Sequence, residues 1–409
     1  MKQQVSLNVN KDASKVEGSY SRRELIKTFG LGGLALSLPI NNNKIMSFSA
    51  QDLFLYIGTY TNGKSEGIYL YRFNPASGEL KPLSIARGVT NPSYLAIDAN
   101  RKYLYSVNEV SEFSGKKTGA ITAFAIDQRT GELRKLNQQA SEGTSPCYIS
   151  VDPSGKFVLV ANYSSGSLAV LPIKGDGSLG ESSDIVQHKG TGQNPRRQEG
   201  PHAHCIVLDP SGRYAFAADL GIDKVMIYRF DAKAGKLIPN SPAFVQTNPG
   251  AGPRHFDIHP GGKFAYVINE IDSTLTAFAY DKSKAELKEI QTLSTLPEGF
   301  QGNNSCADLH VHPSGKFLYG SNRGHDSIVA FTIDEQSGKL SYLAHESTQG
   351  KTPRNFGIDP TGAFLLAANQ NSNTVVTFQI DQSSGKLKPA GQVTEVPTPV
   401  CLKFIPAFS

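Results

Sequence analysis

Two histidines one residue apart are the first side chains in this sequence that suggest chemistry. His202 and His204 lie in the segment GPHAH, residues 200–204, directly before an apolar run. Residues two apart share one face of a β-strand, so the two imidazoles can act together. This spacing suits a metal-binding pair or a catalytic base, and it also occurs at the start of an ordinary strand.

Other chemically active side chains lie in similar surroundings. Arg254 and His255 follow a proline before an apolar run, whereas Glu270 and Arg323 each follow an asparagine. Burying such charges is costly unless they are paired or bound to something, so their presence favours a binding site. A structural ion pair between Arg254 and Glu270 is an equally good explanation of those two. Six residues are candidate substrate ligands: His255, Asn162, Tyr163, Asp219, Asn322 and Arg354. The recurrent asparagines are also explained by hydrogen bonds to their own loop backbone.

An internal repeat positions these residues. Six turns of the type Asp-Pro-Ser-Gly or a close variant recur every 47 to 57 residues, beginning at Asp98, Asp152, Asp209, His259, His312 and Asp359. This period is typical of propeller blades and not of helical repeats. Each turn joins two apolar segments into a β-hairpin, and an alternating third strand, a turn such as 337–340 and an edge strand follow. Each unit therefore predicts a blade of four antiparallel strands.

The two ends of the repeat array are incomplete. Residues 398–404 resemble a first strand without its successors, and residues 53–59 and 67–73 resemble successors without a first strand. Pairing them completes a seventh blade and removes the open edge of a linear array. The sequence thus predicts an all-β fold in residues 50–409, a seven-bladed β-propeller whose N- and C-terminal strands share one blade and close the ring.

This topology brings the candidate residues together. A hairpin reverses the chain, so the start of each first strand and the end of each second strand lie at the same rim. His202, His204, Arg254, Glu270 and Arg323 are therefore expected around one mouth of the central channel.

Residues 1–49 have the features of an export signal. Arg22 and Arg23 precede the short, glycine-containing apolar segment 28–40, which resembles a twin-arginine signal and is too short for a stable membrane span. The predicted location is periplasmic or extracellular, with the twin-arginine export machinery as a transient partner. The signal carries seven Lys/Arg and three acidic residues, so the net charge of +5 falls to +1 without it. Nothing in that balance indicates nucleic acid as a partner.

The sequence offers few residues for a cofactor or a metal. No glycine-rich phosphate loop followed by a helix is predicted, and no Gly-x-Ser-x-Gly elbow between a strand and a helix, so no cofactor is predicted. A metal could use His202 and His204 with His255, Glu270 or Asp219 as a third ligand, but the acidic residues are too few to favour one. We predict a site without metal.

Residues 52–409 resemble the bacterial seven-bladed lactonase family of 6-phosphogluconolactonases, whose relatives include fungal carboxy-muconate cyclases. The segments 200–204 and 252–255, with Asn269 and Glu270, carry most of the resemblance. It implies a carboxylic ester hydrolase whose catalytic histidine, two arginines and glutamate fall on His202 or His204, Arg254, Arg323 and Glu270. The export signal departs from most of the family, because phosphorylated sugar lactones arise in the cytoplasm. An unphosphorylated aldonolactone or another cyclic ester is therefore also a candidate substrate.

The expected reaction is water attack on the carbonyl of a small anionic or polyhydroxylated lactone. The arginines would stabilise the oxyanion or hold an anionic group, one histidine would be the base, and Glu270 would orient that histidine. Two alternatives remain: a carboxy-muconate cyclase or isomerase using the same residues, and a non-enzymatic exported binding protein, which would favour an apolar rim. The basic loop 194–197 either recruits anions or is simply solvated.

Overall fold

The computed structural model describes residues 51–408. The predicted export signal, residues 1–49, lies outside the described residues. Within residues 51–408, no helix has the length and apolar character needed to cross a bilayer.

The described chain consists almost entirely of short strands, with one 3₁₀ turn at Gln370–Ser372. The strands, in chain order, are β1 (Leu53–Thr59), β2 (Gly67–Phe73), β3 (Leu80–Arg87), β4 (Leu95–Ile97), β5 (Tyr103–Asn108), β6 (Ala120–Ile126), β7 (Leu133–Ala140), β8 (Pro146–Val151), β9 (Phe157–Asn162), β10 (Ser167–Pro172), β11 (Asp184–Gln187), β12 (Ala203–Leu208), β13 (Tyr214–Asp219), β14 (Lys224–Asp231), β15 (Lys236–Gln246), β16 (Pro253–Ile258), β17 (Phe264–Asn269), β18 (Thr274–Asp281), β19 (Glu286–Ser294), β20 (Ser305–Val311), β21 (Phe317–Arg323), β22 (Ser327–Ile333), β23 (Leu340–Ser347), β24 (Pro353–Ile358), β25 (Phe364–Asn369), β26 (Thr374–Ile380), β27 (Leu387–Glu395) and β28 (Pro399–Pro406).

These strands form seven antiparallel sheets of four strands each. Six sheets use four consecutive strands, from β4–β7 to β24–β27, and the seventh has the order β28-β1-β2-β3. The first strand of every blade contacts the first strands of both neighbouring blades, so these strands line the central channel. The predicted seven-bladed ring with a shared terminal blade is confirmed.

Closure of the ring depends on the pairing of β28 with β1. Leu55 pairs with Phe404 and Gly58 with Cys401 in an antiparallel register. Because this pairing joins residues from the two ends of the domain, it removes the free edges that an open array of blades would present.

The blades are buried on both faces. All six residues of β9 and all six of β17 are buried, in agreement with the apolar second strands that the sequence predicts. Each sheet packs face to face against two neighbours, so both faces need apolar side chains. The outer strands, such as β3, have the largest share of exposed positions.

A repeated contact connects neighbouring blades. Tyr266 in β17 donates a hydrogen bond of 3.1 Å to the carbonyl of Gly338 in the next blade, and Tyr319 makes the equivalent bond of 2.7 Å to Gly385. Gly338 has a φ of +69°, and a Cβ there would lie 2.3 Å from the Phe264 ring. Glycine is therefore required in this turn both for its backbone conformation and for the close approach.

Candidate active site

Irregular first strands deliver chemically active side chains to the channel. In six of the seven blades, the register between the first and second strands skips a residue near the start of the first strand. The skipped residues include Cys147, His204, Arg254, Asp308 and Arg354. A β-bulge redirects the side chain of the extra residue, which is why bulges are common next to active sites.

The predicted rim is present in the strand pairing. Pro253 pairs with Asn269 and Ser305 pairs with Arg323, so the starts of first strands lie beside the ends of second strands. Glu270 follows Asn269 directly, and its backbone NH donates a 2.7 Å bond to the carbonyl of Gly252. This bond holds the backbone of Glu270 close to β16, the strand that carries Arg254.

Glu270 is the centre of a cluster of arginines. Its Oε2 lies 2.8 Å from Arg254 Nε and 2.9 Å from Arg323 Nη2, while its Oε1 lies 2.5 Å from Arg197 Nη2. The Arg254 and Glu270 side chains are 2% and 8% exposed, so this ion pair is desolvated. The structure thus brings together three predicted residues, Arg254, Glu270 and Arg323, and adds Arg197 from the basic loop.

The arginines set the charge state of Glu270. Burial opposes ionisation of this carboxyl, but Arg323, Arg254 and Arg197 outweigh burial and hold its pKa well below the usual range. Burial lowers the pKa of Arg323 to about 10 despite the nearby Glu270. Both groups are therefore charged at neutral pH. Because arginines occupy both carboxylate oxygens of Glu270, this residue is a poor general base.

Arg254 is held from the other side by a relay of buried polar groups. Its Nη1 lies 3.2 Å from His255 Nε2, and it also donates to the carbonyl of Ala307. His255 Nδ1 lies 2.6 Å from Asp308 Oδ1. Because an arginine only donates and an ionised carboxylate only accepts, Nδ1 of His255 carries the proton and Nε2 accepts. His255 is thus fixed as one neutral tautomer.

The pKa values of His255 and Asp308 agree with a neutral His255 and an ionised Asp308. Burial, and then Arg254, lower the pKa of His255 to about 4 against the opposing effect of Asp308. Burial opposes ionisation of Asp308, yet His310 and His255 hold the pKa of its carboxyl well below the usual range. Asp308 Oδ2 also lies 3.0 Å from His310 Nε2 and accepts a bond from Asn355.

His204 is a buried imidazole beside this relay. Its ring centroid lies 5.4 Å from those of His255 and Tyr163, and its Nδ1 lies 3.7 Å from Cys147 Sγ. Burial, followed by Arg254 and His255, holds the pKa of His204 well below its ordinary value. The ring is therefore neutral at pH 7, and its Nε2 has no hydrogen-bond partner within residues 51–408.

His202 lies nearer the surface. It stacks on Tyr163 with centroids 4.6 Å apart, and its Nδ1 lies 3.1 Å from the Tyr163 carbonyl. Its Nε2 lies 3.3 Å from Glu199, whose side chain is 63% exposed. Both nitrogens of His202 are thus engaged by protein groups, in contrast to those of His204.

Arg354 enters the channel from the bulge of β24. Its guanidinium stacks over the Tyr60 ring at 5.6 Å, and it lines one cavity together with Arg254, Glu109 and His255. Glu109 accepts hydrogen bonds of 2.8 Å from Tyr60 and 2.5 Å from Ser93. No hydrogen-bond acceptor or carboxylate among residues 51–408 contacts the Arg354 guanidinium. This fork of N–H donors remains available to a ligand.

The structure does not bring three of the predicted substrate ligands into this cavity. Asn162 donates to the carbonyl of Ser141 at 2.9 Å, and Asn322 donates to that of Thr295 at 2.8 Å. Both asparagines are fully buried and connect the blade to the preceding loop. This geometry favours the backbone-bonding explanation of the recurrent asparagines.

Asp219 likewise supports the site from behind. Its Oδ2 lies 2.6 Å from His188 Nδ1, and its Oδ1 accepts 2.7 Å and 2.9 Å bonds from the backbone NH groups of His202 and Gly221. Both oxygens are used within the fold, and the residue is fully buried. Asp219 therefore orients the GPHAH segment.

The proposed pairing of Glu270 with a catalytic histidine is wrong. Both carboxylate oxygens of Glu270 contact arginines, and the ion pairs of residues 51–408 join it to no histidine. Three surrounding guanidiniums attract the carboxylate more strongly than a neutral imidazole does. The carboxylate that orients a histidine here is Asp308, which contacts His255.

The residues suggested as metal ligands do not converge on one point. In the part of the chain that the structure describes, no three His, Cys, Asp or Glu side chains converge in a way that could hold a metal ion. His255, Glu270 and Asp219 each bind other protein groups, as described above.

The site also contains residues outside the predicted set of catalytic and substrate-binding residues, namely Tyr60, Ser93, Glu109, Cys147, Arg197 and Asp308. Asp308 could have been found by aligning the first strands, because it occupies the position of His255 in β16 and of Asn355 in β24. Arg197 was predicted only as part of the basic loop 194–197, because that loop has no counterpart in the other repeats.

Known proteins share this fold and sequence. Residues 54–404 match the family described as lactonase, 7-bladed beta-propeller. A 6-phosphogluconolactonase from Bacillus subtilis is 40% identical over 351 residues, covering 86% of this chain and 97% of the relative.

Two solved structures are similarly related. A putative 6-phosphogluconolactonase from Bacteroides fragilis is 41% identical with a TM-score of 0.82, covering 88% of this chain and 99% of its own. A periplasmic gluconolactonase from Pseudomonas aeruginosa is 38% identical with a TM-score of 0.82, covering 87% and 99%. The chain therefore belongs to the lactonase family of seven-bladed β-propellers.

Proposed function

We propose that this lactone-hydrolysing enzyme opens a sugar lactone, 6-phosphogluconolactone or a related aldonolactone, to the open-chain acid by metal-independent attack of water. The observation that carries the proposal is the charge of the rim. Four guanidiniums, of Arg197, Arg254, Arg323 and Arg354, surround two carboxylates, Glu109 and Glu270. This excess of positive charge suits an anionic substrate and the oxyanion of ester hydrolysis. The names of the relatives from B. subtilis and P. aeruginosa support the same reaction class.

Arg354 is the proposed oxyanion donor. Arg254 and Arg323 donate hydrogen bonds to Glu270 and to backbone carbonyls, whereas the Arg354 guanidinium donates to no acceptor in residues 51–408. Unengaged, preorganised donors stabilise the developing charge of a tetrahedral intermediate most effectively. Stacking on Tyr60 holds the guanidinium in place without using its N–H groups.

His204 is the proposed general base. It is neutral at pH 7, so Nε2 can take a proton from water as the oxygen attacks the lactone carbonyl. The tetrahedral intermediate then collapses by breaking the bond to the ring oxygen, which takes the proton back from His204. The products are one hydroxyl and one carboxylic acid, and the histidine returns to its initial state.

The test is the rate of 6-phosphogluconolactone loss above spontaneous hydrolysis, with glucono-δ-lactone alongside, using protein from residue 50 onward. We expect faster loss of at least one lactone, unaffected by EDTA. His202→Gln is the matched control for His204→Gln, because both histidines contact Tyr163. No acceleration of either lactone would overturn the proposal, and loss of activity with EDTA would overturn its metal-independent part.

We also propose that the protein is exported through the twin-arginine pathway. The motif at Arg22 and Arg23 supports this, as does the similarity to a periplasmic gluconolactonase. Replacing both arginines with lysine in the full chain should keep the protein in the cytoplasm, as measured by cell fractionation. Unchanged export of that variant would contradict the assignment.

A further inference from the structure

The loop before β12 places an arginine in the site from outside the blades. Residues 188–202 form the longest connection between two blades in the described chain. Near its end, Arg197 reaches Glu270 Oε1 at 2.5 Å and lies 3.5 Å from the Tyr163 hydroxyl. None of the other connections between blades contributes an ion pair to Glu270.

The loop is anchored directly beside Arg197. Gln198 is 1% exposed, and its Nε2 donates 2.8 Å and 2.6 Å bonds to the Leu220 carbonyl and Asp223 Oδ1. Its Oε1 accepts a 2.9 Å bond from the NH of Asn194. Because the backbone is held at residue 198, Arg197 can change its side-chain conformation without moving the loop.

The three arginines on Glu270 are held very differently. Arg254 also bonds to the Ala307 carbonyl, and Arg323 bonds to the Cys306 carbonyl at 2.8 Å. Their side chains are 2% and 14% exposed. The Arg197 side chain is 40% exposed and bonds only to side chains within residues 51–408. Arg197 is therefore the one member of the trio that can exchange partners at low cost.

Resting on the proposed lactonase function, we propose that Arg197 determines specificity by leaving Glu270 and binding an anionic substituent of the lactone, such as a phosphate. Glu270 keeps Arg254 and Arg323 during this exchange, so no buried carboxylate is left unpaired. Arginine binds phosphate or carboxylate through two parallel N–H···O bonds, which a neutral hydroxymethyl group cannot replace. The enzyme therefore prefers anionic lactones to neutral ones through a residue outside the propeller strands.

Steady-state kinetics on two lactones test the assignment. For Arg197→Gln, we expect the KM for 6-phosphogluconolactone to rise about 10- to 100-fold, the effect of losing a charged hydrogen bond. The KM for glucono-δ-lactone should change less than about twofold, and kcat for both should change little. Arg196→Gln is the matched control, because Arg196 is exposed and has no ion pair among the described residues. Arg197→Lys should recover part of the lost affinity.

A binding measurement separates this inference from the lactonase proposal. Calorimetric titration with 6-phosphogluconate and with gluconate needs no turnover, and only the first carries the phosphate. We expect Arg197→Gln to weaken 6-phosphogluconate binding by the same factor as the KM change and to leave gluconate unaffected. Unchanged 6-phosphogluconate binding, or equal losses for both lactones or both acids, would overturn the role of Arg197. Absence of hydrolysis by the unaltered protein, with phosphate-dependent binding still lost in the variant, would overturn only the lactonase proposal.

Discussion

Replacing Glu270 with glutamine should destabilise the propeller measurably, because one carboxylate neutralises several buried cations. The variant leaves Arg254 and Arg323, with side chains 2% and 14% exposed, beside a neutral amide whose NH₂ group faces an N–H donor. Breaking a buried ion pair from one side costs about 3–5 kcal/mol. We add nothing for Arg197, which is 40% exposed and can be solvated by water.

The expected change in melting temperature follows from the size of the domain. Unfolding entropy is about 2.1 cal/mol/K per residue, so a domain of roughly 350 residues has about 0.75 kcal/mol/K, and Tm should fall by about 4–7 °C. Differential scanning calorimetry at pH 7 measures it, with Glu199→Gln as the control, since Glu199 is 63% exposed and should leave Tm unchanged. A Tm for Glu270→Gln within about 1 °C of the unaltered protein would refute the argument that the cluster is desolvated.

The pH dependence of this difference is a second check. The arginines hold the pKa of Glu270 below its unfolded value of about 4.3. Its contribution to stability is therefore fully present above that pH and is lost as the pH falls towards the folded pKa. The Tm difference between the two proteins should be constant from pH 6 to 8 and shrink below about pH 4. A difference that disappears near pH 6 would contradict the ion-pair explanation.

Three further predictions concern the histidines and Arg354. His204→Gln should lower kcat by about 10²- to 10⁴-fold, as measured by lactone loss. If His204→Gln keeps the full rate and His202→Gln is inactive, His202 and not His204 is the base. Arg354→Gln should lower kcat about 10²- to 10³-fold with an unchanged Tm, and full activity would exclude Arg354 as the oxyanion donor. The buried His255 has its pKa lowered to about 4, so only the unfolded chain gains its proton between pH 6.5 and about 4, and Tm should fall as the pH decreases through this range. Thermal melts of His255→Asn should show a weaker decrease, and an identical pH profile would rule out this histidine as the cause.

Repeats explain why so much of the fold could be predicted from one sequence. Turns such as residues 152–155 and 359–362 recur at blade length, and the incomplete repeats at 53–73 and 398–404 complement each other. Each blade is a local unit whose hairpin pattern is readable without knowledge of its neighbours. Because hairpins reverse direction regularly, the shared rim of Arg254, Glu270 and Arg323 followed from that topology.

The ion pairs and hydrogen bonds between rim side chains could not be predicted in the same way. Glu270 was expected to orient a histidine, but its geometry places it among arginines, and Asp308 fills the orienting role for His255. The β-bulges decide this, because each one changes which side chain of a first strand points into the channel. A bulge depends on the register with the second strand and leaves no fixed motif in the sequence.

The order of residues along this chain was sufficient to establish the blade count, the closure of the ring and the rim on which chemistry is concentrated, since these depend on period, turn residues and strand direction. The partners of Glu270, the neutral state of His204 and the position of Arg197 depend on distances between residues of different blades or of a loop. Ion pairing and desolvation change steeply over a few ångströms, so these properties are set by three-dimensional packing and not by sequence spacing.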